Sequence, residues 1–137
     1  LVGTINDINS IQNILQYLPE NLKVLNLVGK TTIKDLMSLI INSNFVIAND
    51  NGVHHLSNFL KKQTLTLYNF SSHEVYNWTN KTSNYIFNQK FNCMPCVGNQ
   101  NGPFDNYPFK CPLQVRCKNT ISENDIIKKL EDLNWIN

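Results

Sequence analysis

The stretch that decides the fold is Phe45-Val46-Ile47-Ala48-Asn49-Asp50-Asn51-Gly52-Val53-His54-His55. Its first four residues form a continuous apolar run, which is typical of a β-strand covered on both faces. The polar residues and the glycine that follow predict a turn, and a short helix is expected from about Val53 to Leu60. A second strand is predicted from Thr64 to Tyr68. Strand, helix and strand at this spacing indicate a parallel βαβ crossover.

The residues before this stretch continue the same alternation. Apolar residues at helical spacing predict a helix over Asn6 to Leu18, and a strand is predicted over Leu22 to Val28. Thr32 is expected to cap a helix that runs to about Asn42. The fold class predicted is therefore α/β, a Rossmann-like parallel sheet with flanking helices, whose ligands bind at the carboxyl ends of the strands.

The character of the sequence changes beyond residue 70. Tyr85 to Phe87 predicts one more short strand, and Ser122 to Asp125 has the form of a capping box that opens a terminal helix. The four cysteines fall between these two features. We therefore divide the chain into an α/β part over residues 1–90, a cysteine-rich segment over 91–118 and a C-terminal helix over 119–137.

Composition excludes several classes of protein. The chain has 137 residues, 42% of them apolar and 16% charged, with a formal net charge of +2. That length suits one domain, and the apolar runs are far shorter than the roughly 20 residues of a membrane span. Scattered lysines lack the basic stripe of a nucleic-acid binder, so no nucleic-acid partner is expected. A cytoplasmic protein is predicted, and the opening Leu1-Val2-Gly3, without a methionine, suggests a piece of a longer chain.

Gly29-Lys30-Thr31-Thr32 has the form in which a phosphate-binding loop ends. That motif needs a glycine five positions before Gly29, where this chain has Val24. A plain turn between strand and helix, capped by a threonine, is the favoured interpretation.

The junction at Asp50 permits two interpretations from physical reasoning alone. A helix that begins at the end of a buried strand presents free N–H groups, and His55 in its first turn could add a donor to a phosphate. A carboxylate at Asp50 repels phosphate unless it caps the helix or orients a neighbour. The alternative is a capped helix with two ordinary histidines.

Three stretches together resemble the carboxyl-terminal half of glycosyltransferase family 9, the heptosyltransferases. They are Leu27 to Leu36, Phe45 to Leu56 and Thr64 to Tyr68. The core of the resemblance is the pattern Asp50-x-Gly52-x-x-His55 at a predicted junction of strand and helix, with the Gly-Lys-Thr turn about twenty residues upstream. Asn51 stands where the family usually has serine or threonine.

The resemblance implies a GT-B fold in which this chain is the donor-binding half of an inverting glycosyltransferase. The donor would be ADP-heptose or a similar nucleotide-sugar, and the acceptor a lipopolysaccharide core, a related glycan or another lipid-linked acceptor, which also implies peripheral contact with the inner membrane. The catalytic residues are expected in an N-terminal acceptor domain, and no cofactor is required for the chemistry. The implied donor-binding residues are Asp50, Asn51 and Gly52 at the diphosphate and sugar, His55 at a phosphate, Thr31 near the adenine and Asp7 near the ribose.

The cysteines carry a second, independent hypothesis. Cys93 and Cys96 are separated by two residues, fourteen residues follow, and Cys111 and Cys117 are separated by five. Four thiolates in two pairs at about this distance suit a structural Zn or Fe site, although disulfides and unliganded thiols remain open. An alternative function is therefore a metal-knuckle interaction module, and another is an inactive transferase-like domain.

Overall fold

The computed structural model describes residues 1–96, 111 and 116–136. Its sheet has three strands, β1 (Val46–Asn49), β2 (Thr64–Tyr68) and β3 (Ser83–Phe87), in the order β1-β2-β3. Both pairs are parallel, with Val46 beside Thr64 and Thr64 beside Ser83. The predicted Rossmann-like α/β class is confirmed, and all three strands end at one edge of the sheet.

Five α-helices accompany the sheet in the described part of the chain. They are α1 (Ile8–Leu15), α2 (Ile33–Asn42), α3 (Gly52–Phe59), α4 (His73–Tyr76) and α5 (Glu123–Asp132). Short 3-10 helices cover Ile5–Asp7 and Arg116–Asn119. The sequence predicts α1, α2, α3 and α5, whereas the one-turn helix α4 has no periodic pattern that could have indicated it.

The chain divides into two compact units, residues 1–42 and 43–137. The first contains α1, α2 and a stretch where the strand Leu22–Val28 was predicted. That strand prediction is wrong. The N–H groups of Leu27 and Gly29 donate to the carbonyls of Leu1 and Gly3 at 2.9 and 3.0 Å, and the amino group of Leu1 donates to the Leu25 carbonyl at 2.7 Å. These three bonds pair the segment with residues 1–3, but they do not extend into a strand.

The second unit is built around the central strand β2. Leu65 of β2, Ile86 of β3 and Leu130 of α5 form its buried cluster, and Trp135 stacks on Phe45 with ring centroids 4.8 Å apart. The predicted burial of the first strand on both faces is wrong for Ile47, which is 43% exposed. β1 is the edge strand of the described sheet, and an apolar run alone does not specify which elements will cover it.

The capping box predicted at Ser122 is confirmed, and Thr32, predicted as a helix cap, forms one as well. The Ser122 N–H donates to the Asp125 carboxylate at 2.8 Å, and the Asp125 N–H returns a bond to the Ser122 hydroxyl at 3.3 Å. Thr32 and Asp35 exchange the same pair of bonds at the start of α2. These bonds lower the pKa of both carboxyl groups, because they stabilise the ionised form.

No helix in residues 1–96 and 116–136 is long and apolar enough to span a membrane. The division into 1–90, 91–118 and 119–137 stays a prediction. Residues 97–110 and 112–115 of the cysteine-rich segment lie outside the described residues.

Candidate functional site at the end of the first strand

Asn51 is the cap of helix α3. Its side-chain oxygen accepts from the N–H groups of Val53 and His54 at 2.9 and 3.4 Å. Two N–H groups that the sequence predicts to be free for an anion are therefore already bonded. Asp50 does not cap the helix, so its role must lie in its contacts with neighbouring side chains.

His54 is a fully buried imidazole between two polar groups. Its Nε2 lies 3.3 Å from the Tyr68 hydroxyl, and its Nδ1 lies 3.4 Å from a carboxylate oxygen of Asp50. Burial lowers the pKa of His54, and the neighbouring His55 lowers it further, while Asp50 opposes both. Burial, together with the Asp50 charge, raises the pKa of Tyr68. At neutral pH His54 is uncharged and Tyr68 keeps its proton.

His55 occupies the exposed side of the same cluster. The indole N–H of Trp78 donates to its Nδ1 at 3.1 Å, and its Nε2 lies 3.9 Å from the Asp50 carboxylate. An indole nitrogen can only donate, so Nδ1 must present a lone pair and the neutral ring carries its proton on Nε2. Because 3.9 Å exceeds hydrogen-bond length, Asp50 does not take this proton. His55 therefore offers an N–H donor at the mouth of the site.

The three side chains also qualify by distance as metal ligands, since one ligand atom from each of Asp50, His54 and His55 lies within 4.8 Å of the others. The Trp78 contact argues against a cation here. A metal on Nε2 of a neutral histidine requires the proton on Nδ1, where it would oppose the indole N–H. The contact therefore disfavours a cation bound at Nε2 of His55.

Gly52 opens helix α3 beside this cluster. A Cβ built on Gly52 would have no atom within 4 Å, so neither packing nor close backbone contact requires glycine here. The space that a side chain would fill is available to a ligand that approaches the backbone closely.

Two other predicted donor-binding residues lie in the first unit. The Asp7 carboxylate accepts from the N–H and hydroxyl of Thr4 at 2.7 and 2.8 Å, and these bonds lower its pKa. Thr31 is half-buried just before α2. The structure thus brings Asp50, Asn51, Gly52 and His55 together in one unit and places Asp7 and Thr31 in the other, and all six roles stay predictions.

Sequence reasoning missed three site residues: His54, to which it gave no role, and Tyr68 and Trp78. Tyr68 could have been found, because it ends the strand whose carboxyl end lies beside that of β1. Trp78 follows α4 in a stretch without periodicity, so no sequence signal indicated its contact with His55.

Cys96 lies near the same edge of the sheet, where its N–H donates to the Phe70 carbonyl at 2.6 Å. Cys96 and Cys117 are buried, Cys93 and Cys111 are half-buried, and none forms a disulfide. Burial raises the pKa of the Cys96 thiol to about 11, and the charges of Cys93, Cys117 and Cys111 contribute. The predicted metal site at these residues stays a prediction.

The sequence profile of glycosyltransferase family 9 (heptosyltransferase) matches residues 7–106, which include the whole Asp50 to His55 junction. The chain belongs to glycosyltransferase family 9. Lipooligosaccharide heptosyltransferase 2 of Campylobacter jejuni serotype O:6 is 28% identical to this chain over 127 residues. The protein of the same name from serotype O:2 is 29% identical over the same length. That alignment covers 91% of this chain and 36% of each relative, so this family 9 chain spans about a third of their length. No solved structure matches it.

Proposed function

We propose that this chain provides the nucleotide-sugar binding part of an inverting glycosyltransferase, with ADP-heptose as the donor in lipopolysaccharide or related glycan synthesis. The observation that carries the proposal is the bond from Trp78 to Nδ1 of His55, which fixes a proton on Nε2. A fixed N–H donor at a helix start is what a diphosphate requires. The family membership of the chain supplies the class of reaction.

Asp50 acts in this proposal as an orienting group. Its carboxylate lies between Nδ1 of His54 and Nε2 of His55, at 3.4 and 3.9 Å. The negative charge of Asp50 favours a proton on each of these two nitrogens. It therefore stabilises the form of His55 that carries its proton on Nε2. The donor diphosphate then meets the imidazole N–H and the Gly52 backbone, while Asp50 is placed toward the sugar.

Gly52 provides the second support. Gly52 is the first residue of α3, and its backbone does not adopt the positive φ that would favour glycine. Packing does not require glycine either, because a Cβ would enter open space. A phosphate held against the backbone would account for glycine here, since an added methyl group would occupy the place of the ligand.

The remaining roles follow from the family resemblance. Asp7 would accept the ribose hydroxyls and Thr31 would lie near the adenine. The acceptor domain would supply the base that removes a proton from the acceptor hydroxyl as the sugar moves to it. This chain alone would bind the donor without transferring the sugar.

Calorimetric titration of the chain with ADP and ADP-heptose tests the proposal. Gly52→Ala is expected to weaken binding while leaving the free energy of unfolding unchanged or slightly increased. His55→Gln and Asp50→Asn are expected to weaken binding as well. Asp132→Asn, which removes an exposed carboxylate at the end of α5, is the matched control and should bind like the unaltered chain.

Two results would contradict the proposal. One is a folded chain that binds neither ligand at millimolar concentration. The other is binding that Gly52→Ala and His55→Gln both leave unchanged, which would place the nucleotide elsewhere on the chain.

A further inference from the structure

The connecting segment between α4 and β3, residues 77–82, is bonded to helix α3 at two points. The indole N–H of Trp78 donates to Nδ1 of His55 at 3.1 Å. The side-chain amide of Asn80 donates to the backbone carbonyl of Asn58 at 3.2 Å. His55 and Asn58 are three positions apart in α3 and therefore lie on the same face of the helix. The connecting segment thus follows one face of α3 over about one helical turn.

Asn80 joins α3 to the start of β3 through a single amide group. Its side-chain oxygen accepts from the Thr82 N–H at 3.2 Å and from the Thr82 hydroxyl at 2.9 Å. The orientation of the amide is fixed by its partners, because the Asn58 carbonyl can only accept and the Thr82 N–H can only donate. The nitrogen of this half-buried amide is therefore directed toward α3 and its oxygen toward β3.

The bond from Asn80 is not needed to satisfy the end of α3. The Asn58 carbonyl also accepts from the Lys61 N–H at 3.0 Å, so it keeps a partner when Asn80 is replaced. A carbonyl that keeps one hydrogen bond is not left unsatisfied in the buried environment of Asn58. What the Asn80 bond adds is the position of the connecting segment.

A second asparagine holds the segment on the other side of Trp78. The Ser83 hydroxyl donates to the side-chain oxygen of Asn77 at 2.9 Å, and the Asn77 amide donates to the Trp78 carbonyl at 3.1 Å. The contact between Trp78 and His55 is itself exposed, where water competes for both partners. An exposed bond of this kind forms reliably only when the backbone that carries it is already in place.

We propose that Asn80 is a positioning residue of the donor site: its bond to α3 holds the connecting segment so that the Trp78 indole faces His55 before a nucleotide-sugar arrives. The inference rests on the proposed function, in which the N–H on Nε2 of His55 contacts the donor diphosphate. Asn80 acts through Trp78 and reduces the ordering that binding would otherwise require.

Asn80→Asp tests this role, because it removes the amide donor to the Asn58 carbonyl and keeps an oxygen for Thr82. Nitrogen NMR should show a mixture of His55 tautomers in the variant and one tautomer in the unaltered chain, and the Trp78 indole proton should exchange faster with solvent. Calorimetry should show a Kd for ADP raised by about two- to tenfold. Asn42→Asp is the matched control. It removes the same kind of bond, from Asn42 to the Ser38 carbonyl within α2, and should leave all three measurements unchanged.

A double variant separates positioning from the new negative charge. Trp78→Phe combined with Asn80→Asp should bind ADP as weakly as Trp78→Phe alone, because Asn80 acts through the indole. Repulsion of the diphosphate by the new carboxylate would instead add to the effect of Trp78→Phe. Asn80→Ala carries no charge and should give the same tautomer mixture, so it takes the place of Asn80→Asp if that variant does not fold.

Additive effects on the Kd would overturn the inference, as would a single His55 tautomer in both folded Asn80 variants. The NMR measurements need no ligand, so they are independent of the nucleotide titration. A chain that binds ADP and keeps one tautomer in the Asn80 variants retains the proposed function and loses this inference. A chain that shows the tautomer mixture but binds no ADP loses the proposed function and with it the donor role of Asn80.

Discussion

The hydroxyl of Tyr68 lies 3.3 Å from Nε2 of His54, and both side chains are completely buried. Because burial raises the pKa of Tyr68, the hydroxyl keeps its proton and can donate it to Nε2. The other ring nitrogen of His54, Nδ1, lies 3.4 Å from the Asp50 carboxylate. A residue at the end of β2 thus faces one ring nitrogen of a histidine on α3, and Asp50 faces the other.

His54 should make the stability of the chain depend on pH. Its pKa is lowered in the folded state, so the unfolded chain binds more protons as the pH falls through the ordinary imidazole value of about 6.5. Stability is therefore complete above that value and decreases as the pH falls toward the lowered pKa. Urea unfolding between about pH 5 and 8 should show this loss, and His54→Gln should reduce the pH dependence.

His73→Gln is the control for that experiment, since it removes a histidine on α4 and leaves His54 in place. The variant should keep the pH dependence that His54 contributes. An unaltered dependence in His54→Gln would show that a different group is responsible.

Trp78→Phe should weaken donor binding by about two- to tenfold, the value of a lost hydrogen bond of about 0.5–1.5 kcal/mol. The substitution keeps an aromatic ring but removes the N–H that fixes the proton on Nε2 of His55. Calorimetry with ADP gives the affinity, and nitrogen NMR of the imidazole gives the tautomer. Trp135→Phe is the matched control, because Trp135 stacks on Phe45 in the core and should not affect the tautomer. Equal affinity and an unchanged tautomer in Trp78→Phe would contradict the assigned role.

Asn51→Ala should destabilise the chain by about 1 kcal/mol, because Val53 and His54 lose the side-chain acceptor of their N–H groups. Asn51→Ser, which restores a residue type usual in the family, should recover most of that loss, since a serine oxygen caps a helix about equally well. Urea unfolding curves give both values. If alanine and serine were equally stable at this position, the cap would contribute nothing measurable.

Leu65→Ala should lower the free energy of unfolding by about 2–5 kcal/mol, the usual range when a leucine in a packed core is replaced by alanine. Ile47, its partner across the β1–β2 ladder, is 43% exposed, and Ile47→Ala should cost about 1 kcal/mol or less. Comparison of the two variants isolates burial as the cause of the difference in stability, because both residues are large aliphatic side chains at matched positions. Similar losses in the two variants would mean that Ile47 is covered in solution.

The sequence predicted most of the local structure because local signals decide it. The capping residues of α2 and α5 and the apolar pattern of α3 lie within the helices they start or form. The strand predicted over Leu22–Val28 is wrong because its three hydrogen bonds to residues 1–3 do not extend into a strand, and the apolar pattern of a segment does not encode how far a partner runs beside it. The exposure of Ile47 was missed for the same reason.

The same distinction between local patterns and contacts with distant segments applies to the candidate site. The pattern Asp50-x-Gly52-x-x-His55 and the cysteine spacing could be read directly from the sequence, because both are local arrangements of residue types. The distant residue that contacts each site residue could not be read from the sequence. Tyr68 reaches His54 because β1 and β2 end at the same edge of the sheet, whereas Trp78 reaches His55 from the stretch between α4 and β3. Both contacts depend on the packing of distant segments. The sequence by itself determined the α/β class and the family, because both follow from local patterns of residues. The tertiary structure decided which side chains are buried and which distant residues meet His54 and His55, because these depend on how separate segments pack.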